Sequence, residues 1–492
     1  MKRAAWIAAF ALASSAVAAG EGRPHYGGVV DGALLGEPVV FDPAAAQTHA
    51  ELTLVGLVFD TLYTVGPDGS AQPHLALEAP SGDGTKVRVK VRKGVKFHDG
   101  SEMTTADVAA SLERVRTSGA RWALASVASV KANGEYVDLT LKTATPDLAA
   151  LLALPATAIT KGGKPATERS PGTGPFAIER VDAKGRRIEL KAFDDHFAGR
   201  PYIDKLVLHW FDAPDGEAGR YERGEAQLSS RGVAAFTAAQ PKFKADAVEG
   251  PPALLVYVGF GRKHADVTAE RQFRKALDLA LVRQAVASVS SGERVSPSRV
   301  PLPVEAGAPV LDAAGKVDDL PAAQAALAQA ATKVKALAPA NLPQLKLEIL
   351  VEETRPDDRE IAERVARALN KLGIDSVITG VSASTLRDRV KRGDCDLYIG
   401  QLAEPLTSSP AWWGAAFAVG GELWAEQKLA AGAIATPDAI KAFGERLPML
   451  PLAFRSIRMW HRTDVRGLNF DASGRPDLAN LFYFGDAVKG TK

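Results

Sequence analysis

The chain has 492 residues, of which 46% are hydrophobic and 24% charged, a globular composition that excludes a disordered chain. It is too long for one ordinary core, so two or three domains are expected. Lys and Arg number 60 against 58 Asp and Glu, and so weak a net field argues against nucleic acid or an anionic membrane as partner.

In chain order, residues 1–18 read as a secretory signal. Lys2 and Arg3 supply the positive end, Ala4 to Ala13 a short apolar run, and Ala16-Val17-Ala18 a small-residue cleavage site. The run is shorter than the roughly 20 apolar residues of a membrane span. Its removal leaves 58 basic residues against 58 acidic ones. Cys395 is the only cysteine, so an exported chain would have no internal disulfide. No cysteine stands at the cleavage site. A soluble periplasmic protein without a lipid anchor is therefore expected.

Val29 to Val40 reads as a strand and its following loop, leading to Phe41-Asp42-Pro43. Leu52 to Tyr63 is apolar at helical spacing. Thr85 to Arg116 is better specified. Val87, Val89 and Val91 alternate with Arg88, Lys90 and Arg92, the period of a half-buried strand. Gly94 and Asp99-Gly100 are turn chemistry. Thr104 with Asp107 three residues later predicts a capped helix start, and Val108, Leu112 and Val115 share one face of that helix. Val137, Leu139 and Leu141 alternate in a strand expected to pair with the one at 87–91.

Residues 171–176 (PGTGPF) invite a phosphate-loop reading. The Lys-Ser/Thr end of such a loop is missing, and Pro175 removes a backbone donor. Leu254 to Phe260 reads as a buried strand. Thr268 to Val286 reads as a helix with Phe273, Leu277 and Leu281 inward, and an Ala-rich helix follows near 321–337. Leu345 to Val351, Ile374 to Thr379 and Cys395 to Ile399 are strands separated by helices, the first opened by Pro356, carrying Ile361, Val365, Leu369 and Leu372 and stopped by Gly373, the second at Ala383 to Lys391. That order implies a parallel or mixed α/β sheet.

The strings GVKFHDG and TTADVAASLERV in 85–116 resemble the signature of the peptide/nickel family of solute-binding proteins, the extracytoplasmic receptors of ABC importers. Gly172 to Phe176, the FDDHFAGRPYIDKL run at 193–206, and the 268–286 helix are similar to further motifs of that family. The resemblance is weakest at 287–340 and 401–445. It implies an α/β fold of two lobes with an extra small α+β domain in the first. The implied division is signal 1–18, first lobe 19–50, extra domain 51–169, first lobe 170–255, second lobe 256–462 and a return to the first lobe at 463–492. Crossover strands are expected near 255 and 462.

No enzyme is expected. The eight histidines show no H-x-x-x-H, Cys395 has no CxxC companion, and no nucleophile elbow is present. His98 reads either as a ligand or base, or as a turn residue fixed by local hydrogen bonds. No metal and no cofactor are called for. Ligands of α/β lobes sit beyond the carboxyl ends of strands, which selects Gly36 and Glu37, Arg355, and the Gly400 to Pro405 loop. In the dipeptide-binding branch, a segment like Thr354-Arg355-Pro356 supplies an arginine for the ligand carboxylate; the alternative for Arg355 is a surface residue near a helix start. Asp357 stands where that branch has a tyrosine. Gln401 occupies the position of an aspartate that pairs with a peptide amino terminus, and an amide cannot match a carboxylate there. Glu404 either substitutes for it or is structural. Trp412 and Trp413 cannot both face one side of a regular element; one lines a pocket, or both pack. Trp424 and Trp460 are expected in the core. The function implied is delivery of a peptide or peptide-like solute to an inner-membrane ABC permease, by a monomer. The alternatives are a receptor for a metal chelate, haem-like molecule or sugar, and a scaffold or sensor that no longer delivers ligand.

Overall fold

The computed structural model describes residues 24–66, 69–211, 214–230, 245–288, 295–307, 319–355, 357–405 and 407–484. The signal segment and Pro356 lie outside them.

The first lobe opens with β1 (Val29–Ala33) and α1 (His49–Val58). The extra domain follows with β2 (Tyr63–Val65), β3 (Ala71–Pro73), β4 (Ser81–Gly82), β5 (Lys86–Lys90), α2 (Thr105–Val115), a 3-10 turn at Arg121–Leu124, β6 (Val127–Asn133), β7 (Tyr136–Leu141) and α3 (Leu148–Leu151). The chain then returns to the first lobe as β8 (Phe176–Asp182), β9 (Arg187–Ala192), β10 (Lys205–His209), α4 (Pro214–Glu222), β11 (Leu228–Ser229) and β12 (Ala245–Glu249). The second lobe runs through β13 (Leu254–Phe260), α5 (Ala265–Thr268), α6 (Arg271–Ala280), α7 (Arg283–Ala287), β14 (Val295–Pro297), α8 (Leu320–Ala331), β15 (Lys346–Glu352), α9 (Asp358–Lys371), β16 (Asp375–Val381), α10 (Ala383–Arg392), β17 (Leu397–Ala403), α11 (Ser409–Val419), α12 (Trp424–Ala430), α13 (Thr436–Arg446) and β18 (Leu450–Arg455). β19 (Arg458–Arg462) leads back to the first lobe.

Each unit has its own sheet. The first lobe carries β1-β10-β9-β8 and β11-β19-β12, the extra domain β4-β5-β7-β6, and the second lobe β14-β18-β13-β17-β15-β16. β15 runs parallel to both β16 and β17, whereas β13 is antiparallel to β17 and β18, so the second sheet is mixed. The chain crosses between lobes at 250–253, from β12 to β13, and at 456–457, from β18 to β19. Glu249 closes this neck, accepting from Ser456 Oγ at 2.6 Å and Arg458 Nη2 at 2.9 Å.

The local chemistry follows the sequence where the pattern is periodic. Val87 pairs with Leu139 and Val89 with Val137. Thr104 and Asp107 form a full capping box at the start of α2. Two expectations differ. The helix expected at 52–63 spans 49–58, because Thr48 and Glu51 form an earlier capping box and Phe59 is already extended. The helix expected at 268–286 is three pieces, α5, α6 and α7. It breaks at Leu281, whose ψ is 121°. The break lets the buried Arg283 turn back, donating to Asp278 Oδ1 at 2.6 Å and to the carbonyls of Ser298 and Pro451 at 2.8 Å.

Candidate functional site

Of the residues selected from sequence, Gly36 and Arg355 meet where the lobes approach each other. Gly36, with φ +96°, backs onto the second lobe so closely that a Cβ would stand 2.9 Å from Glu352 Oε1 and 3.5 Å from Arg355. Arg355 is buried. Its Nη2 lies 2.8 Å from Asp358 Oδ2 and donates to the Ile399 carbonyl at 3.2 Å, and its Nε lies 3.1 Å from Glu352 Oε2. The surface alternative for Arg355 is therefore corrected: two acids engage its fork inside the lobe contact. Burial, opposed by Arg355, raises the Asp358 carboxyl to about 7. Asp357 is also buried and accepts from Arg455 at 2.7 Å. Glu37 is half-buried beside Gly36.

β17 brings the next group. Gly400 pairs with Tyr257, and a Cβ on it would stand 2.3 Å from the Tyr257 ring; Gly259 and Tyr398 repeat the arrangement reciprocally. Gln401 pairs with Val256, and its buried Oε1 has no hydrogen-bond partner among the described residues. Glu404 is half-buried beyond the end of β17. Burial raises its carboxyl to about 8, opposed by the charge of Arg475.

Trp412 and Trp413 both pack. Each is fully buried in the second lobe, Trp412 edge-on to Phe454 at 5.1 Å and Trp413 against Phe443 at 6.0 Å. The indole of Trp412 donates to the Pro405 carbonyl at 3.1 Å. Trp424 and Trp460, expected in the core, are only half-buried: Trp424 opens α12 with one face on Phe417 at 5.0 Å, and Trp460 stands in the middle of β19, the central strand of its three-stranded sheet. His98 is a bridge rather than a ligand: Nε2 lies 2.9 Å from the Gly174 carbonyl and Nδ1 accepts from the Gly172 amide at 3.2 Å. Its partners are thus not local, as the turn alone had implied. Gly172 and Gly174 serve close approach, since a Cβ on either would meet the backbone of Val58 within 3 Å.

None of the eight selected residues lines the cavity of about 930 Å³ that opens among the described residues. Its walls are α1, the β2–β3 hairpin, the 196–202 loop and the 469–480 segment, with Pro251 of the crossing and Thr407 of the second lobe. Arg475, beside Glu404, is part of this wall. The cavity's charge chemistry centres on Asp60. His74 Nε2 lies 2.9 Å from its Oδ1, and His196 Nε2 lies 3.7 Å from its Oδ2, too far for a hydrogen bond. Burial alone would raise the Asp60 carboxyl; the two imidazoles more than reverse this and hold it well below the usual range. Phe197 packs on both rings at 5.0 and 4.8 Å. The cationic groups of the wall are already matched, Arg475 by Asp471 at 2.6 Å and Arg200 by Asp194 at 2.6 Å. Asp60, His74 and His196 come from three separated segments, so no spacing pattern announced them. Among the described residues, no group of three or more His, Cys, Asp or Glu could hold a metal ion, and no helix is long and apolar enough to cross a membrane.

Comparison with known proteins places this geometry. A model of the bacterial extracellular solute-binding proteins, family 5, matches residues 70–419. The oligopeptide-binding protein AppA of Bacillus subtilis is 25% identical over 287 residues, covering 54% of this chain and 52% of that protein. The nickel-binding protein NikA of Staphylococcus aureus is 25% identical over 153 residues, 30% of this chain and 31% of its own length. The chain thus aligns with about half or less of these relatives. Among solved structures, Helicobacter pylori DppA in complex with the peptide STSA superposes with a TM-score of 0.79 at 18% identity, covering 94% of this chain and 99% of that one. AppA in complex with a nonapeptide gives 0.76 at 19% identity, covering 94% and 100%.

Proposed function

We propose, for a chain that belongs to the family 5 bacterial extracellular solute-binding proteins, that it captures a small solute between its lobes and delivers it to an ABC importer. The solute class we assign is a peptide or peptide-like molecule. One observation carries this reading: among the described residues the chain passes between the lobes by short crossings at 250–253 and 456–457, and a cavity of about 930 Å³ opens beside that neck, walled by the first lobe and extra domain with Pro251 of the crossing and Thr407 of the second lobe. That volume matches pockets that hold small organic ligands, and a narrow neck permits hinge motion around one. The similarity to AppA, named as oligopeptide-binding, and to DppA, solved in complex with a peptide, supports the class. The protein acts as a carrier and performs no reaction on its solute. It works in the periplasm as a soluble monomer after loss of residues 1–18, and its partner is an inner-membrane permease.

Gln401 favours a second reading. It occupies the position at which the resemblance puts an amine-binding aspartate, and its Oε1 has no partner among the described residues. A non-peptide solute such as a metal chelate needs no carboxylate there. Native mass spectrometry of protein released from the periplasm and never refolded separates the readings by the mass that travels with the chain. A peptide mass supports the first and a chelate mass the second. Protein that is always empty would count against both and favour a scaffold. N-terminal sequencing of the same sample tests processing after Ala18 or Ala19.

A further inference from the structure

α11 is apolar all round. Every residue from Ala411 to Phe417 is buried, and a helix of that kind must be covered on every side. Trp412, Trp413, Ala416 and Phe417 face the core of the second lobe. The stripe of Ala411, Gly414 and Ala415, at helical spacing i, i+3 and i+4, is covered by the extra domain. Trp122, in the 3-10 turn, sits over Gly414 so tightly that a Cβ there would stand 2.1 Å from its ring. Trp122, Leu151 and Leu154 from the extra domain form one buried cluster with Ala411, Ala415 and Leu429 from the second lobe. Two more glycines permit the same approach. A Cβ at Gly69 would stand 2.2 Å from Thr407 Oγ1, and one at Gly432 would stand 3.1 Å from the Ala144 carbonyl. At the rim, Arg121 Nε lies 2.9 Å from Glu426 Oε2.

The two halves of this seam lie on opposite sides of the crossings. Opening the lobes would therefore bring Trp122, Leu154 and the small-residue stripe into water, which the hydrophobic effect opposes. A polar cleft carries no such penalty. Glycine in mid-helix weakens α11 relative to alanine, so residue 414 needs a packing reason, and the indole of Trp122 supplies it.

We propose that this seam holds the lobes closed without solute, and that solute exchange requires it to part. The closed resting form follows from the seam without the receptor reading; its link to exchange rests on that reading. Solute can shift an opening equilibrium only by its differential affinity for the two forms, so a seam that already favours closure leaves little for solute to move.

The test is small-angle X-ray scattering of full-length mature protein, unfolded and refolded to strip solute, with circular dichroism to verify folding. Wild type should scatter as the closed structure. Gly414→Ala, which favours the helix yet collides with Trp122, should give a larger radius at unchanged helicity. Trp122→Ala, which needs no collision, should also expand. Stripped wild type that is already expanded would overturn the proposal, and so would two folded variants as compact as wild type. Failure of the receptor reading shows elsewhere, as protein that carries no solute from the periplasm, and would leave these scattering results standing.

Discussion

Arg387 of α10 reaches across the cleft and donates from Nη2 to Glu51 of α1, 2.6 Å from Oε1. Glu51 has no exposed surface and also accepts the backbone N–H groups of Val40, Gln47 and Thr48. One carboxylate thus caps a helix of the first lobe and meets a cation of the second. Arg387 adds a bond from Nη1 to the Ala45 carbonyl at 3.2 Å.

Arg387→Ala should leave that carboxylate buried without a cation. Breaking a fully buried pair costs about 3–5 kcal/mol. Arg387 is itself a quarter exposed and three backbone donors remain, so about 1–3 kcal/mol is expected. Urea unfolding at neutral pH measures it. A change below about 0.5 kcal/mol, the range of ordinary surface substitutions, would mean that water replaces the guanidinium freely.

Arg355 gives a larger expected effect, because nothing around it is wet. Its side chain and those of Glu352 and Asp358 are each at most 4% exposed. Arg355→Ala would strand two acids, at a cost of about 3–5 kcal/mol, before any solute is added. A carboxylate clamp held open for a ligand would instead show unchanged stability and lost affinity. Thermal unfolding of solute-free protein, followed by calorimetry with trialanine, separates the two outcomes.

Periodic segments carried the fold in the sequence. The alternation at 87–91 and 137–141, the capping residues of α2, and the β15 to β17 strands with their helices are local patterns that tertiary packing did not override. Helix ends were less legible. The start of α1 depended on Glu51, whose role is shared with Arg387, and the break at Leu281 depends on bonds from Arg283 to carbonyls far along the chain. The candidate site was legible only in part. Loops beyond strand ends lead to Gly36 and Arg355, which meet between the lobes, whereas Gln401 lies within β17, because the strand expected to end at Ile399 runs on to Ala403 in its pairing with β13. Asp60, His74 and His196 are assembled by contacts between remote segments. Trp122 over Gly414 is likewise a pairing between residues nearly three hundred positions apart, for which a single sequence carries no signal.

His49 makes stability depend on pH. Its Nε2 lies 3.2 Å from the Gly474 carbonyl, its Nδ1 has no partner among the described residues, and burial lowers its pKa to about 4. The folded chain therefore favours the neutral ring. Above pH 6.5 neither state is protonated there, and the contribution is complete. As pH falls from 6.5 towards 4, the unfolded chain takes up the proton first, and stability is lost. The gap from the ordinary 6.5 to about 4 corresponds to about 3 kcal/mol at full loss. Urea unfolding at pH 7.5 and pH 4.5 should show a steeper decline for wild type than for His49→Gln. Parallel declines would assign the acid sensitivity to other groups.

Gln401, which lies outside the wall of the 930 Å³ cavity, tests whether a peptide amino terminus is held at β17 instead. An amide there gives no charge to meet a desolvated ammonium, and its Oε1 is left unpartnered among the described residues. Trialanine should therefore bind wild type weakly. Gln401→Asp places a carboxylate in the same partly buried position without a cation to match it, so the solute-free variant should be less stable. A bound amino terminus would supply the missing charge, and charge-assisted bonds contribute roughly 1.5–3 kcal/mol. Trialanine should then bind the variant about 10-fold to 150-fold tighter, the range of that energy, while N-acetyl-trialanine gains nothing. Calorimetry with both peptides on both proteins makes the comparison. Tight wild-type binding that acetylation abolishes would show that another group holds the amine, with Glu404, just beyond the end of β17, first to examine. Equal, weak binding by both proteins would direct the search to the non-peptide solutes that Gln401 already favours.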